Sequence, residues 1–223
     1  MHLFLNPEKM TPGEEKSIIN PGAKFGSDMR DKDVRNAVKL MLHRRHLGDL
    51  DTRIVEEMGV WSGTVRIDIA VINGELSGFE LKSNRDTLER LPMQADIYSK
   101  VFDRIELVVG DRHAEKAIKL VPDWWSVTIA TEKGNGVELQ SNRDGSRNPF
   151  PNPLVIAQLL WKDEVISILD VFGLAEGWRA RRVKSLHERL ACELPFDTLR
   201  QHVREALKKR DKWLRGSWTS QKN

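Results

Sequence analysis

RIDIAVINGELSGFELK, residues 66–82, has the pattern of two β-strands joined by a tight turn. Both halves are rich in branched and apolar residues that favour strands, and Asn73-Gly74 between them is a strong hairpin signal. Side chains alternate between the two faces of a strand, so residues two apart lie on the same side. The stretch therefore predicts a hairpin whose two faces differ in chemistry.

One face of each predicted strand is mostly apolar and suits a core, whereas the other face carries charge. The mostly apolar faces hold Ile67, Ile69 and Val71 in the first strand and Ser77, Phe79 and Leu81 in the second. The charged faces hold Arg66, Asp68 and Ala70 in the first strand and Gly78, Glu80 and Lys82 in the second. We expect the charged side chains to gather on one side of the sheet.

The register of the hairpin decides whether Asp68 and Glu80 meet, because a slip of one residue turns every side chain to the other face. A two-residue loop would put Asp68 across from a residue of the wrong face. A three-residue loop over residues 73–75, with its glycine in the left-handed conformation, pairs Ile72 with Leu76 and places Asp68 across from Glu80. We predict the three-residue loop.

Asp68, Glu80 and Lys82 together suit a metal-dependent phosphodiesterase. Carboxylate oxygens and water are the ligands that Mg²⁺ or Mn²⁺ prefers, and such an ion polarises a phosphoryl oxygen and lowers the pKa of a bound water. A neighbouring amine would stabilise the attacking hydroxide and the charge that grows on the phosphate. The alternative interpretation is a solvated strand face with a chance Glu-Lys pair.

Asp68, followed by Glu80-Leu81-Lys82, resembles the signature of the PD-(D/E)XK nuclease superfamily. The stretch ELKSNRDTLERLPMQADIYSKVFDRIELVVG, residues 80–110, resembles one bacterial branch of small, largely uncharacterised proteins of that superfamily. The resemblance covers roughly residues 30–215 and implies a Mg²⁺-dependent nuclease with an αβββαβ restriction-endonuclease-like core. One departure is that Ile67, rather than a proline, precedes Asp68.

The same resemblance implies roles for further residues. An acidic residue shortly before the hairpin often completes the metal shell of such nucleases, and Glu57 is our choice, with Glu56 as the alternative. Gln94 and Tyr98 are four residues apart and so share one side of a helix. This Q-x-x-x-Y pattern resembles the motif of RecB-like exonucleases, in which the pair holds substrate or orders the active site. A Tyr that only packs the helix is the alternative.

Outside the hairpin, periodicity and turn residues predict a mixed α/β fold. Helices are expected over residues 31–47, 91–102 and 113–120, strands over 104–109, 125–131 and 137–140, and a short strand or a helix end over 51–60. A loop over 141–153 leads to helices over 156–172, 185–194 and 197–214. We divide the chain into a loose extension (1–29), a nuclease-like core (30–145) and a basic helical region (146–223).

Composition and charge narrow the functional classes. The chain of 223 residues has 39% hydrophobic and 31% charged residues, and no apolar run reaches the ~20 residues of a membrane helix. Cys192 is the single cysteine, so a disulfide is excluded and a cytoplasmic location is expected. Residues 178–215 carry a charge of +7, which leaves −4 for the rest of the chain. A basic end on an acidic body suggests contact with nucleic acid.

Five cations are the candidate contacts to nucleic acid. They are Arg85 and Arg90 near the hairpin, and Arg200, Arg204 and Lys208 on the last helix. A basic helix of this kind would hold the phosphate backbone without reading sequence, although plain solvation or a helical lid over the sheet also fits. The sequence thus favours a nuclease, with DNA as the expected substrate. The alternative is a nucleic-acid-binding or protein-binding module of a larger defence or toxin assembly, with a protein partner or a second copy.

Overall fold

The structure, a computed structural model, describes residues 29–60 and 63–210. It is an α/β fold with one six-stranded mixed sheet. The strands are β1 (Arg53–Val60), β2 (Val65–Ile72), β3 (Leu76–Lys82), β4 (Arg104–Gly110), β5 (Ser126–Lys133) and β6 (Gly136–Arg143). The helices are α1 (Asp31–Arg45), α2 (Leu91–Tyr98), α3 (Ala114–Ile118), α4 (Pro153–Ala157), α5 (Lys162–Val171), α6 (Val183–Glu193) and α7 (Phe196–Lys209).

The strands lie side by side in chain order. The pairs β3–β4 and β4–β5 are parallel, and the other neighbouring pairs are antiparallel. Each parallel pair needs a crossover, which α2 and α3 supply. The expected mixed α/β sheet is therefore confirmed, and β1 resolves the choice between a strand and a helix end over residues 51–60.

Both faces of the central strands are buried, each under its own hydrophobic core. The small core lies under α1 and joins Val34, Val38 and Leu42 of that helix to residues of β2, β3, β4 and β5. The large core, on the opposite face, joins the sheet to α2, α3 and the C-terminal helices. The expectation of one apolar face and one charged face is therefore wrong, because helices cover both sides of the central strands.

Helix α1 confirms the helix predicted over residues 31–47, although it ends at Arg45, and it carries an apolar stripe. Val34, Val38 and Leu42 are completely buried, and full burial of such a side chain contributes about 1.5–3 kcal/mol. The carboxylate of Asp33 accepts a hydrogen bond from the backbone N–H of Arg30 at 3.0 Å, which satisfies a donor at the helix start. The stripe thus fixes which side of α1 meets the sheet.

The hairpin has the predicted register. Ile72 pairs with Leu76, and the same register continues to the pair Ile69 and Phe79. The left-handed conformation predicted for Gly74 is wrong, since this residue does not have a positive φ. The side chain of Asn73 closes the turn instead, because its oxygen accepts the backbone N–H of Glu75 at 3.0 Å.

The alternation of side chains breaks where β1 and β2 carry their acidic residues. Ile69 belongs to the small core, but Ile67 belongs to the large core together with Ala70, so the predicted common face of Ile67 and Ile69 is wrong. The position on β1 opposite Asp68 is Glu57, whose φ of 53° is uncommon for a residue other than glycine. Glu57 and Asp68 therefore lie where the regular alternation of side chains is interrupted.

The C-terminal helices pack on the sheet through the large core, which continues from the strands into α4–α7 without interruption. The prediction of a single helix over residues 156–172 is wrong, because helical structure is interrupted between α4 and α5. There the carboxylate of Glu164 accepts the backbone N–H of Trp161 at 2.7 Å and starts a new helix. Within the described residues, no helix is long and apolar enough to cross a membrane.

Candidate active site at the β2–β3 fork

The strands β2 and β3 separate beyond the pair Ile69–Phe79, and their diverging ends form what we call the β2–β3 fork, residues 66–68 and 80–82. Asp68 takes the place of the missing backbone partner, since its Oδ2 accepts the N–H of Leu81 at 2.8 Å. A buried backbone donor is thereby satisfied without extending the ladder. Asp68 is held at the point where the strands part.

Tyr98, the last residue of α2, contacts the β2 strand of the fork. Its hydroxyl donates to the backbone carbonyl of Arg66 at 2.5 Å, and the amide nitrogen of Gln94 donates to the same hydroxyl at 3.3 Å. The tyrosine ring packs edge-on against Phe102 and stacks near Trp125. Gln94 and Tyr98 therefore lie together beside the fork, and Tyr98 also packs the core.

Glu80 and Lys82 form a buried ion pair on β3. Glu80 is 1% exposed, its Oε1 accepts from the Lys82 ammonium, and its Oε2 has no hydrogen-bond partner among the described residues. Burial raises the pKa of Glu80 to about 7, helped by the negative charge of Asp68 and opposed by Lys82. One buried carboxylate oxygen of Glu80 is thus left without a hydrogen bond, and the nearby Tyr98 hydroxyl also lowers the pKa of Glu80.

Asp68 and Glu80 converge on one cavity of about 360 Å³, which we call the fork cavity. Lys82, Gln94 and Glu57 also line it. Burial raises the pKa of Asp68, while the Leu81 N–H and nearby cations act in the opposite direction. The two acids thus lie on the same side of the fork, as the three-residue loop predicts.

Arg35 is a residue of this site that sequence reasoning did not assign. Its Nη2 lies 2.7 Å from Asp68 Oδ1 and 3.1 Å from Glu57 Oε1, and its Nε lies 3.2 Å from Asp31. The signal in the sequence was weak, because Arg35 belongs to the polar side of α1 and only the fold brings that side to the fork. A guanidinium therefore neutralises the acids of β1 and β2.

Glu57 and Glu56 have different surroundings. Glu57 lines the fork cavity, and burial followed by the charge of Asp68 raises its pKa. Glu56 does not line that cavity and is paired with Lys39 at 2.6 Å. Of the two candidates for a third metal ligand, Glu57 is the one placed beside Asp68.

The fork offers oxygen ligands for a hard cation. Mg²⁺ is commonly held by one or two carboxylates, with water and substrate phosphate completing its shell. Asp68 and the unpartnered Glu80 Oε2 match that donor set. Residues 29–60 and 63–210 contain no group of three or more His, Cys, Asp or Glu arranged to hold a metal ion, so Glu57 does not complete such a group here.

The predicted cations near the hairpin and those on α7 differ in exposure and in ion pairing. Arg85 and Arg90 are exposed, and Arg90 lines the fork cavity. Arg200 is buried and paired with Asp103, and Arg204 lies 3.8 Å from the same carboxylate.

Lys208, further along α7, is also tied to its own chain, with its ammonium 2.6 Å from Asp51 and 2.7 Å from Glu205. The three predicted cations of α7 thus lie within reach of carboxylates of their own chain, which ties the helix to the body of the protein. The phosphate clamp on α7 stays a prediction.

Fold and site together define a layered α/β protein with an acid–amine cluster where two central strands diverge. The chain belongs to the family described as Bacteriophage P4 protein cII, which it matches over residues 26–222. It is similar to "Protein cII" of Enterobacteria phage P4, with 26% identity over 182 residues that cover 82% of this chain and 68% of that protein. No solved structure gives a significant match.

Proposed function

We propose that the chain is a Mg²⁺-dependent or Mn²⁺-dependent nuclease that hydrolyses phosphodiester bonds, with DNA as the expected substrate. The proposal includes a restriction-endonuclease-like core, and the order α1-β1-β2-β3-α2-β4 supports it because it is the αβββαβ order of that core. One observation carries most of the weight. Asp68, Glu80 and Lys82 line a single cavity, and Glu80 keeps a buried oxygen without a partner.

Each residue of the fork has a role in this proposal. Asp68 and Glu80 would hold the divalent ion, which when bound polarises a phosphoryl oxygen and activates water. Lys82 supplies positive charge beside the phosphate, where negative charge grows during attack. Gln94 and Tyr98 position the start of β2, since the tyrosine hydroxyl donates to the Arg66 carbonyl.

A cleavage assay with matched substrates tests the proposal. Supercoiled plasmid, linear duplex and single-stranded DNA are incubated with the protein, with and without Mg²⁺ or Mn²⁺. We expect cleavage only with metal, and its loss in Asp68→Ala. Asp123→Ala is the matched control, because Asp123 is a fully exposed aspartate on the loop before β5 and lines neither the fork cavity nor its neighbourhood.

The same assay identifies nicking and end-dependent degradation by their products. Intact DNA with every substrate and both ions would reject the nuclease. Equal cleavage by the wild type and Asp68→Ala would reject the fork as its site.

A second function has one observation in its favour. Arg35 occupies Asp68 and Glu57 with its own positive charge, as in a site that is neutral without metal. The chain would then be a nucleic-acid-binding or protein-binding module of a larger assembly. Binding of DNA without any cleavage, unchanged in Asp68→Ala, would support this alternative.

A further inference from the structure

A second, larger cavity lies beside the fork. Its volume is about 760 Å³, and Glu57, Gly63 and Arg66 line both it and the fork cavity. We call it the side cavity. Its far wall comes from the α4–α5 junction and from α6, so it lies between the sheet edge and the C-terminal helices. The two cavities therefore adjoin, and a ligand in the side cavity would lie beside the cavity that Asp68 and Glu80 line.

Exposed positive charge lines the side cavity. Arg66, Lys162 and Arg182 are exposed lining residues that come from β2, the start of α5 and the start of α6. In the part of the chain that the structure describes, neither Lys162 nor Arg182 forms an ion pair with a carboxylate. This differs from Arg200, Arg204 and Lys208 of α7, which lie within ion-pair distance of carboxylates of the same chain. The unpaired cations favour an anionic ligand.

An aromatic ring stands in the same wall. Trp161 is 45% exposed, and the guanidinium of Arg210 lies 4.3 Å from its ring centroid. Arg210, which also lines the side cavity, is itself held by Glu164 at 2.5 Å, so one face of the ring is braced. The side-chain oxygen of Gln158, another lining residue, has no donor within the described residues. A flat ring, an acceptor and free cations together match the chemistry of a nucleotide.

We propose that the side cavity binds an unpaired stretch of the nucleic-acid strand whose phosphodiester lies at the fork. This inference rests on the proposed nuclease function and names its substrate as single-stranded or frayed. The size supports this choice, because cavities of ~300–1,000 Å³ enclose small ligands and so admit one or a few nucleotides but not a duplex. Trp161 stacks on a base, and Lys162 and Arg182 contact the flanking phosphates.

Binding without turnover tests the side cavity directly. The affinity of the full chain for a fluorescein-labelled oligothymidine is measured by anisotropy in EDTA. We expect Trp161→Ala to weaken binding by at least ~5-fold, the lower end of what one stacked base contributes. Arg182→Ala should weaken binding and reduce the slope of log affinity against log salt by about 0.7, the value for one phosphate contact on a single strand.

Matched variants separate stacking from general effects. Phe150→Ala removes an exposed aromatic residue outside the side cavity, and Lys184→Ala removes an exposed cation of α6 that does not line it. Both should bind as the wild type does. Trp161→Phe keeps an aromatic face and should retain most of the affinity, which guards against a folding defect in Trp161→Ala.

The outcomes distinguish this inference from the nuclease proposal. Unchanged oligothymidine affinity in both Trp161→Ala and Arg182→Ala overturns the side cavity, even if the wild type cleaves DNA. Equal competition by a blunt duplex also overturns it. Weakened binding in the two variants, with no cleavage by the wild type, supports single-strand binding in the side cavity and rejects the nuclease function.

Discussion

Two buried carboxylates at different points along β3 have different surroundings: Asp103 beside its first residue, Leu76, and Glu80 within the strand. Asp103, 4% exposed, is saturated, since it contacts Arg200, lies 3.8 Å from Arg204, and accepts the backbone N–H of Leu76 at 2.8 Å. Glu80, 1% exposed, has one amine partner and one oxygen with no partner among the described residues.

The difference separates a charge that maintains the fold from a charge that is available for chemistry. Burying a carboxylate is unfavourable unless cations and hydrogen bonds surround it, and Asp103 meets that condition. Glu80 meets it only in part and lines a cavity, so its pKa is raised to about 7. Changes at these two positions should therefore affect different measurements.

The largest effect on cleavage should come from removing the Lys82 amine at the fork. Lys82→Met keeps the length of the side chain but removes the charge beside Glu80 and the phosphate. We expect metal-dependent cleavage to fall by at least ~100-fold, as for loss of one group that stabilises transition-state charge. Lys116→Met, at an exposed position of α3, is the control. Comparable cleavage by the wild type and Lys82→Met would exclude Lys82 from the reaction.

Asp103→Asn should have the largest effect on stability. It leaves two guanidinium groups partly buried near a neutral amide, and breaking such a pair costs about 3–5 kcal/mol of the free energy of unfolding. Urea unfolding measures the loss. The exposed Asp123→Asn should change the free energy by no more than ~1 kcal/mol. A similar small value for Asp103→Asn would show that Arg200 and Arg204 relax to solvent.

The raised pKa of Glu80 predicts a pH dependence of stability in metal-free protein. Between its ordinary value of 4.5 and about 7, the folded state holds a proton that the unfolded state releases. The free energy of unfolding should therefore fall as the pH rises through this window, by on the order of 1–3 kcal/mol, and level off above it.

Glu80→Gln removes this titrating group and should flatten that slope. Asp68 and Glu57 also have raised pKa values, so part of the slope should remain. Urea unfolding from about pH 5 to about pH 8 gives the comparison. Identical slopes in the wild type and the variant would mean that Glu80 titrates normally.

The smallest of the expected effects is a change in Mn²⁺ affinity when Arg35 is replaced. Its guanidinium competes with a divalent ion for Asp68 and Glu57, so Arg35→Gln should tighten Mn²⁺ binding by about 5-fold, which corresponds to roughly 1 kcal/mol. Titration calorimetry measures the affinity. Lys39→Gln, one turn along α1, is the control because its partner Glu56 does not line the fork cavity. Weaker Mn²⁺ binding in Arg35→Gln would make Arg35 an organiser of the site.

The central part of the fold could be predicted because it depends on local rules. The period of α1 marks its buried stripe, and the length of the hairpin loop fixes the register that brings Asp68 towards Glu80. The helix over residues 91–102 is predicted four residues too long, since α2 ends at Tyr98, but its start is confirmed, and Pro92 lies in its first turn.

What could not be predicted depends on contacts distant in the chain. Arg35 reaches Asp68 across 33 residues, and Arg200 reaches Asp103 across 97. No local period reveals which cations of a helix will meet an acid on the sheet. For the same reason the opposite placement of Ile67 was missed, because it follows from a break in two paired strands at once.

Asp68 serves the backbone as well as the cavity, because it bonds the Leu81 N–H where the strands part. Under the proposed nuclease function, a relative that had lost activity would still need an acceptor at this position to keep its sheet intact. The acidic residue at 68 alone would then be a poor marker of activity. Among the described residues, the ammonium of Lys82 bonds the side chain of Glu80 and no backbone atom, so on the same proposal its replacement would distinguish relatives that only bind from those that cut.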